Sequence, residues 1–329
     1  MQIGLIDVDS HNFPNLALMK ISAWHKANGD TVEWCIPLCH YDVVYQSKVF
    51  DEIYSADIDW IPQSDKVIKG GTGYFRREKD GTGYVYTKGK WVNIGSANSF
   101  SAGIETYNEF LSYDIEHIYP DYSLYPELCI NTAYGFLTRG CLRGCKFCIV
   151  AGKEGRQTHK VADLKEFWNG QKFIKLLDPN LLAYKGHLDL LQQLVDSKSY
   201  VDFTQGLDIR LTNDRNIEFI NHIKLKEIHF SWDNAKEDLV PYFENYKALA
   251  KHKPHGHFGT VYCLTNYNST MEENLYRIYT LRNMGFRPYV MVYDKPNAPR
   301  DVRYLQRWCN NPKIFKSCPH FENYDHSIG

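Results

Sequence analysis

Hydrophobic residues follow two different periods in the first seventy residues or so of the chain. An apolar run at residues 2–8 predicts a buried strand, and residues 16–28 carry apolar side chains at helical spacing. A third apolar run at residues 31–36 completes a strand, helix, strand unit. Further strand-like runs occur at residues 43–45, 60–61 and 67–68. Together they predict a small doubly wound α/β domain, which would bind ligands beyond the carboxyl ends of its strands.

In the second half of the chain, strand-like and helix-like segments alternate regularly. The predicted strands are residues 134–137, 173–177, 201–206, 227–231, 260–264 and 288–293. The predicted helices are residues 164–168, 187–195, 213–223, 241–251 and 271–284. Such alternation builds a parallel sheet with helices outside it. Six units predict an α/β fold with a partial (β/α)6 barrel, whose chemistry lies at the carboxyl ends of its strands.

The remaining segments link or follow these two regions. Residues 83–92 predict a hairpin around Lys88-Gly89, and residues 105–111 a short helix. An amphipathic helix around residues 303–308 begins a carboxyl-terminal segment that we expect to pack on the barrel. The predicted domains are a Rossmann-like α/β domain at 1–126, the partial barrel at 127–300 and the terminal helix and tail at 301–329.

Composition narrows the class of protein. The 329 residues include 38 Lys and Arg and 39 Asp and Glu, so the net charge is −1 and nothing demands a nucleic-acid partner. Nine cysteines, an odd number, argue against a secreted disulfide framework and for a reducing compartment. We find no signal peptide, and no apolar stretch approaches the roughly 18 residues that span a bilayer. We therefore expect a cytoplasmic protein without membrane association.

Three cysteines lie close together in the segment that opens the predicted barrel. Cys141, Cys145 and Cys148 have a C-x3-C-x2-C spacing, and clustered thiolates select zinc, Cu(I) or an iron-sulfur cluster. A structural zinc takes four ligands, and no nearby Cys or His offers a natural fourth. A four-iron cluster on three thiolates instead keeps one iron open to an outside ligand. The alternative is three unrelated packing cysteines, but cationic neighbours favour thiolate: Arg139, Arg143 and Lys146.

The loop also carries an aromatic residue, Phe147, directly before its third cysteine. This C-x3-C-x-aromatic-C pattern resembles the cluster loop of the radical S-adenosylmethionine (SAM) enzymes. The resemblance implies a [4Fe-4S] cluster on Cys141, Cys145 and Cys148, with SAM on the open iron and Phe147 against the adenine. It also implies reductive cleavage of SAM to methionine and a 5'-deoxyadenosyl radical, and an electron donor such as flavodoxin or ferredoxin.

Polar residues follow the predicted barrel strands, and four of them could bind SAM. Gln205, Asp208, Arg210 and Ser231 offer acceptors for an amino group and ribose hydroxyls and a cation for a carboxylate. The segment Gln-Gly-Leu-Asp-x-Arg resembles one that recurs in this branch of the superfamily. The alternative for a single strand-end Asp or Arg is a helix cap or a surface ion pair.

The amino-terminal region resembles the cobalamin-binding domain that precedes many radical SAM cores. It departs from the D-x-H-x-x-G motif that supplies a lower cobalt ligand, because Phe13-Pro14 stands where the glycine should follow. We therefore expect this fold without cobalamin. Candidate substrate-binding residues could hydrogen-bond an amino-pyrimidine edge or stack on a flat ring: Asp7, Asp9, His11, Asn12, Tyr41, Tyr45 and, in the barrel, Asp233. The alternative for Asp9 or Ser10 is a cap of the following helix.

The reaction is predicted from overall resemblance. The chain looks most like the queuine lyases, which remove the cyclopentenediol from queuine and leave 7-aminomethyl-7-deazaguanine, a step in queuosine salvage for tRNA modification. This implies a small deazaguanine-type substrate. A methyl or methylthio transferase acting on tRNA or a peptide is an alternative that the missing cobalt ligand and the single cysteine triplet disfavour. A non-enzymatic iron-sulfur electron-transfer protein is a further alternative.

Overall fold

The computed structural model describes residues 1–10, 12–51, 54–77, 82–87, 90–96 and 111–327. The chain divides into two compact units, Met1–Ile174 and Lys175–Gly329. The domain borders after residues 126 and 300 stay predictions. The helices are α1 Leu16–Ala27, α2 Tyr113–Glu116, α3 Val150–Lys153, α4 His187–Ser197, α5 Asp214–His222, α6 Val240–Leu249, α7 Met271–Asn283, α8 Arg300–Asn310 and α9 Pro312–Ser317.

Fifteen strands are assigned among the described residues. They are β1 Gln2–Asp7, β2 Thr31–Trp34, β3 His40–Ser47, β4 Gln63–Gly70, β5 Phe75–Arg77, β6 Thr82–Thr87, β7 Lys90–Ser96, β8 Thr132–Gly135, β9 Thr138–Arg139, β10 His159–Lys160, β11 Phe173–Leu176, β12 Tyr200–Leu207, β13 Lys224–Ser231, β14 Thr260–Thr265 and β15 Arg287–Val292. No helix in the described part of the chain is long and apolar enough to cross a membrane.

A four-stranded parallel sheet begins the first unit, in the order β2-β1-β3-β4. Leu18 and Ile21 of α1 pack on Ile3 and Leu5 of β1, so alternate residues of the strand bury against the helix. The predicted strand, helix, strand unit is confirmed, but within the described residues α1 is the only α-helix between the strands of this sheet, so helices on both faces are not seen. The predicted strand at 60–61 is wrong, because Trp60 packs against the sheet while Ile61 is 89% exposed and Pro62 follows.

One buried side chain ties the start of α1 to the end of β3. Asn15 caps the helix by accepting a hydrogen bond from the Leu18 N–H at 3.2 Å, and its Nδ2 donates to Ser47 Oγ at 2.8 Å. Gly29, at a φ of +82°, follows the helix in the left-handed conformation that favours glycine. The helix bounds thus match the polar and glycine signals of the sequence.

The segments after β4 are partly described. Strands β5, β6 and β7 form an antiparallel sheet, which confirms the predicted hairpin. Its turn at Lys88-Gly89 lies outside the described residues. Residues 105–110 of the predicted short helix lie outside them as well.

The second sheet has six strands in the order β15-β14-β13-β12-β11-β8. Strand β11 spans the boundary between the units, and β12 to β15 pair in parallel. Val201 and Phe203 of β12 are buried, as are Val261 and Cys263 of β14, so apolar side chains alternate along these strands. All six predicted strands are confirmed, and so is the α/β class. Four predicted helices are present as α4 to α7, but residues 164–168 contain only a 3-10 turn, Leu164–Glu166.

The carboxyl-terminal helix α8 packs within the second unit. Leu305 and Trp308 are fully buried against Ile278 of α7 and Val290 of β15. The Asn310 side chain accepts from the Val290 N–H at 2.7 Å and donates to the Val290 carbonyl at 3.0 Å. This side chain therefore fastens the end of α8 to the edge strand.

Candidate functional site

The three predicted cluster cysteines lie in the loop between β9 and α3. Cys141, Cys145 and Cys148 are each half-buried. The Cys148 N–H donates to the Cys145 carbonyl at 3.0 Å, and the Cys141 N–H donates to the Gly155 carbonyl at 3.2 Å. The loop therefore turns tightly and returns to the segment that leads into β10, which pairs antiparallel with β9.

Two glycines are required by the path of this loop. Gly140 has a φ of +79°, and a Cβ there would collide with the Gln157 carbonyl oxygen. Gly144 has a φ of +59°, and a Cβ there would lie 2.7 Å from the Arg156 guanidinium. Glycine adopts both conformations without strain, and at Gly140 the fixed backbone carbonyl also leaves no room for a side chain, whereas the Arg156 side chain near Gly144 could move.

Charged side chains hold the entrance to the loop. Arg139 forms an ion pair with Glu154 at 2.9 Å, and the second Glu154 oxygen accepts from the Gly140 N–H at 3.1 Å. The Arg139 guanidinium also lies 4.0 Å from the centre of the Phe136 ring. Lys153 of α3 donates to Thr72 Oγ1 at 2.9 Å, and burial lowers the pKa of Lys153 to about 8. The backbone before Cys141 is thus fixed by several partly buried groups.

The other cysteines differ from the loop cysteines in their surroundings. Cys129, Cys263 and Cys309 are buried, and burial raises the pKa of Cys129 to about 11 and of Cys263 to about 12. Burial also raises the pKa of Cys35 to about 11. Desolvation keeps such thiols protonated, so they suit packing rather than metal binding.

In the described part of the chain, no group of three or more His, Cys, Asp or Glu side chains is arranged to hold a metal ion. The loop cysteines therefore do not form a site for a single ion. In a four-iron cluster, by contrast, each thiolate binds a different iron atom. The ligand role of Cys141, Cys145 and Cys148 therefore stays a prediction.

The predicted SAM contacts are divided between the two units. Phe147 is half-buried in the cysteine loop, while Gln205, Asp208, Arg210 and Ser231 lie in the second unit. Asp208 accepts from the Arg210 backbone N–H at 3.2 Å and from Arg210 Nε at 2.7 Å. Arg210 Nη1 donates to Glu237 at 2.5 Å. The structure thus brings Asp208 and Arg210 together as a turn cap and an ion pair, and their contact with SAM stays a prediction.

A bulge in β12 precedes this pair. The register with β13 shifts between Phe203 and Leu207, and Gly206 takes a φ of +96°. Gln205, at the bulge, is exposed to solvent. Bulges commonly re-aim a side chain beside an active site. The irregular backbone therefore gives Gln205 an orientation that a regular strand would not.

Ser231 and Asp233 meet at the end of β13. The Ser231 hydroxyl donates to the Asp233 carboxylate, and burial raises the pKa of Asp233. Arg277 of α7 is fully buried beside them and donates to the carbonyls of Trp232 and Leu264. Sequence reasoning missed this arginine. The spacing along α7 could have indicated it, because Arg277 lies on the buried face of the helix, three residues after the buried Asn274. Arg277 contacts Asn274 Oδ1 at 2.6 Å.

The amino-terminal acidic candidates are engaged inside the first unit. Asp7 accepts from the Tyr125 hydroxyl at 2.5 Å and from the Ser10 N–H at 3.1 Å. Asp9 is only 4% exposed, and its two oxygens accept from the N–H groups of Val49 and Phe50 at 2.7 and 2.8 Å. Neither caps α1, since Asn15 does. Their binding of a substrate stays a prediction, as does that of the exposed Asn12, and His11 lies outside the described residues.

Tyr41 and Tyr45 were expected at the carboxyl end of a strand of the amino-terminal sheet, and for Tyr41 this placement is wrong. The strand was predicted from residues 43–45, but β3 begins at His40, so Tyr41 lies at its amino end. Tyr41 is 1% exposed, and its hydroxyl donates to Glu33 at 2.8 Å. Tyr45 is also buried, and its hydroxyl is 3.0 Å from His25 Nε2. Both rings pack in the core of the sheet, which does not support stacking on a substrate.

Comparison with known proteins identifies the fold. No protein-family model matches this chain, and no curated protein matches it. One similar solved structure is the radical S-adenosylmethionine methyltransferase TsrM from Kitasatospora setae, with cobalamin and a [4Fe-4S] cluster bound. The TM-score is 0.62 at 10% identity, over 88% of this chain and 72% of that chain. At this identity the likeness shows the fold, and the α/β architecture here matches that of a radical SAM methyltransferase.

Proposed function

We propose that this chain is a radical SAM enzyme whose Cys141, Cys145 and Cys148 hold a [4Fe-4S] cluster. The observation that carries the proposal is the position of three half-buried cysteines on one short loop, in a chain with the fold of a radical SAM methyltransferase. Soft thiolates are the ligands that iron-sulfur clusters take. Three of them leave one iron for SAM.

The residues of the loop fit this group. The donor set consists of three thiols outside the core, unlike the fully desolvated Cys263 and Cys309. Gly140 and Gly144 let the backbone turn through positive φ values, and at Gly140 a side chain would collide with the Gln157 carbonyl. Glu154 and Arg139 hold the entrance to the loop in one conformation. A preorganised loop is what a bound cluster needs, because its ligands must converge.

When bound, the cluster and SAM supply the reductive cleavage that yields methionine and a 5'-deoxyadenosyl radical. Phe147 would pack against the adenine, and Gln205 and Ser231 would accept from the SAM amino group or the ribose. Arg210 would donate to the SAM carboxylate. Asp208 and Glu237 fix the orientation of its guanidinium, at 2.7 and 2.5 Å.

For the substrate, we infer a small deazaguanine-type base and a lyase reaction that releases 7-aminomethyl-7-deazaguanine from queuine. This rests on the sequence resemblance to the queuine lyases. Asp233 is the supporting side chain in the second unit, since its carboxylate is half-buried, accepts from Ser231 and has a raised pKa through burial. Such a group suits hydrogen bonding to an amino-pyrimidine edge.

A second candidate is methyl transfer, and the fold comparison favours it, because the similar structure is a methyltransferase with cobalamin bound. Two features of the first unit weigh against the same use of cobalamin here. Pro14 replaces the glycine of the cobalt-ligand motif, and both Asp9 oxygens accept from backbone N–H groups of residues 49 and 50.

The enzyme class is tested by SAM cleavage. The anaerobically reconstituted protein should produce 5'-deoxyadenosine from SAM with dithionite, measured by chromatography and mass spectrometry. Cys145→Ala should lose at least about 100-fold of this activity, because it removes a predicted ligand. The control Cys318→Ala changes a half-buried cysteine outside the loop and should retain activity. A protein that binds iron and sulfide but yields no deoxyadenosine would instead support the electron-transfer alternative.

The reaction is tested separately. Queuine added to the active protein should raise the yield of deoxyadenosine and give 7-aminomethyl-7-deazaguanine by mass analysis. If queuine neither binds nor changes the yield, the lyase proposal fails while the enzyme class stands. Methyl transfer would be supported by S-adenosylhomocysteine formation that depends on added cobalamin.

A further inference from the structure

The second unit contains an open cleft lined by cations. It has a volume of about 890 Å³ and lies between the edge strand β15 and the helices α8 and α9. Its lining contains no acidic residue and four basic ones, Lys295, Arg303, Arg307 and Lys313. In a protein with a net charge of −1, such a local excess of positive charge is not a consequence of overall composition.

Two carboxylates close in sequence to the cleft, Asp294 and Asp301, accept hydrogen bonds from neutral groups. Asp294 accepts from Asn297 Nδ2 at 3.0 Å, and Asp301 accepts from the Val302 N–H at 2.8 Å. Within the described residues, the side chains of Lys295, Arg303 and Lys313 form no hydrogen bond or ion pair. Like charges gathered around one concave surface repel each other, and an anionic ligand would relieve that repulsion.

The helix that carries the two arginines is held rigidly. Leu305 and Trp308 on its opposite side are fully buried, and Trp308 Nε1 donates to the Cys318 carbonyl at 2.8 Å. Gln306 and Asn310 bond the backbone of Val290, so these two lining amides position the helix. Arg303 and Arg307 are four residues apart and therefore lie on one face of α8. The cations are thus displayed on a fixed surface.

We propose that this cleft binds a ligand that carries two or more phosphate groups. Guanidinium groups match phosphate oxygens with paired hydrogen bonds, and lysine ammonium groups add point charges. A nucleotide and an RNA strand both present this chemistry. The binding requires neither the cysteine loop nor SAM, so it goes beyond the proposed enzyme activity.

The experiment measures binding to the full-length protein. The probes are inorganic pyrophosphate, followed by calorimetry, and a fluorescently labelled single-stranded RNA of about 20 nucleotides, followed by anisotropy. The variant is Arg303→Gln with Lys313→Gln, and the matched control is Arg215→Gln with Lys247→Gln, two exposed cations on α5 and α6. Thermal unfolding of both variants should match that of the parent protein, because all four side chains are exposed.

We expect binding of at least one probe that the Arg303/Lys313 variant weakens at least about tenfold, with the control unchanged. For RNA, the slope of log K against log salt should fall by about 1.4, or about 0.7 for each lost phosphate contact. Binding of RNA alone would identify a strand as the ligand, and binding of pyrophosphate as well would identify a compact phosphate site. The proposal is overturned if neither probe binds at about 100 mM salt, or if both variants lose the same affinity.

Discussion

The carboxyl edge of the amino-terminal sheet and the cysteine loop lie in the same unit, and the chain stabilises them differently. At the sheet edge, the polar side chains hold the neighbouring backbone and side chains in place: Asp9 accepts from two backbone N–H groups, and Asn15 donates to Ser47. At the cysteine loop, Glu154 and a glycine at positive φ fix the backbone around the thiols.

This difference separates structural from functional polar residues. A carboxylate whose two oxygens already accept backbone N–H groups loses those bonds if it turns to a ligand, at about 1–3 kcal/mol for each unsatisfied group. A thiol on a loop that other groups hold can bind a ligand without such a loss. Both regions were predicted as binding regions from sequence, and their contacts now favour the loop.

The largest expected effect that tests this comparison is at Gly140. Gly140→Ala places a methyl group against the Gln157 carbonyl and adds about 1–2 kcal/mol of strain at a φ of +79°. The loop should then move, and we expect iron content and deoxyadenosine formation to fall at least about tenfold. Colorimetric iron analysis and the SAM cleavage assay measure this.

Gly29→Ala is the matched control, because Gly29 has a φ of +82° and a Cβ there meets nothing within 4 Å. It should cost about 1 kcal/mol of stability and leave iron content unchanged. Equal iron loss in both variants would mean that general destabilisation, and not the loop, controls the cluster.

At the sheet edge, Asp9→Ala should act on stability. It leaves the part-buried N–H groups of Val49 and Phe50 without their acceptor, so the free energy of unfolding should fall by about 1–3 kcal/mol in urea titrations. Asp42→Ala removes an exposed bond to the Gln2 N–H and should cost under about 1 kcal/mol. If Asp9→Ala instead left stability unchanged and abolished substrate binding, Asp9 would be a substrate-binding residue.

Local patterns in the sequence predicted most of the fold. The six strands of the second sheet were found because short apolar runs alternate with helix-like segments, as with Val201 and Phe203 of β12, which are both buried. The cysteine loop was found because its spacing is itself the signal. Tyr41 was misplaced because it was assigned to the carboxyl end of a strand, whereas β3 begins at His40 and places Tyr41 at its amino end.

Features that depend on tertiary packing could not be predicted in this way. Arg277 looked like one more charged helical residue, yet its guanidinium is buried and bonds carbonyls at two strand ends. Lys295, Arg303 and Lys313 are separated in sequence, and packing of α8 on β15 brings them to one cleft. A net charge of −1 conceals such a local excess.

Lys153 allows a pH test of the support around the loop. Burial lowers its folded pKa to about 8 from an ordinary 10.5, so between these values the unfolded chain binds more protons. Stability therefore rises with pH across this window, by at most about 3 kcal/mol. Lys153→Met should remove that rise in urea unfolding at pH 8 to 10.5, whereas Lys247→Met, at an exposed site, should keep it. Parallel curves for Lys153→Met and the parent would contradict the buried position of this amine.

The smallest expected effect is at Tyr41, a core residue of the amino-terminal sheet. Its hydroxyl donates to Glu33 at 2.8 Å and accepts from the Ile36 N–H at 3.0 Å, so Tyr41→Phe keeps the ring and removes both bonds. We expect a loss of about 1 kcal/mol of unfolding free energy and unchanged substrate binding. Tyr276→Phe, at a side chain that is 58% exposed, should be neutral. If Tyr41→Phe leaves stability unchanged but weakens substrate binding, then a residue buried at the amino end of β3 contacts the ligand. The amino-terminal sheet would then bind a ligand through its structural residues, and its contrast with the cysteine loop would fail.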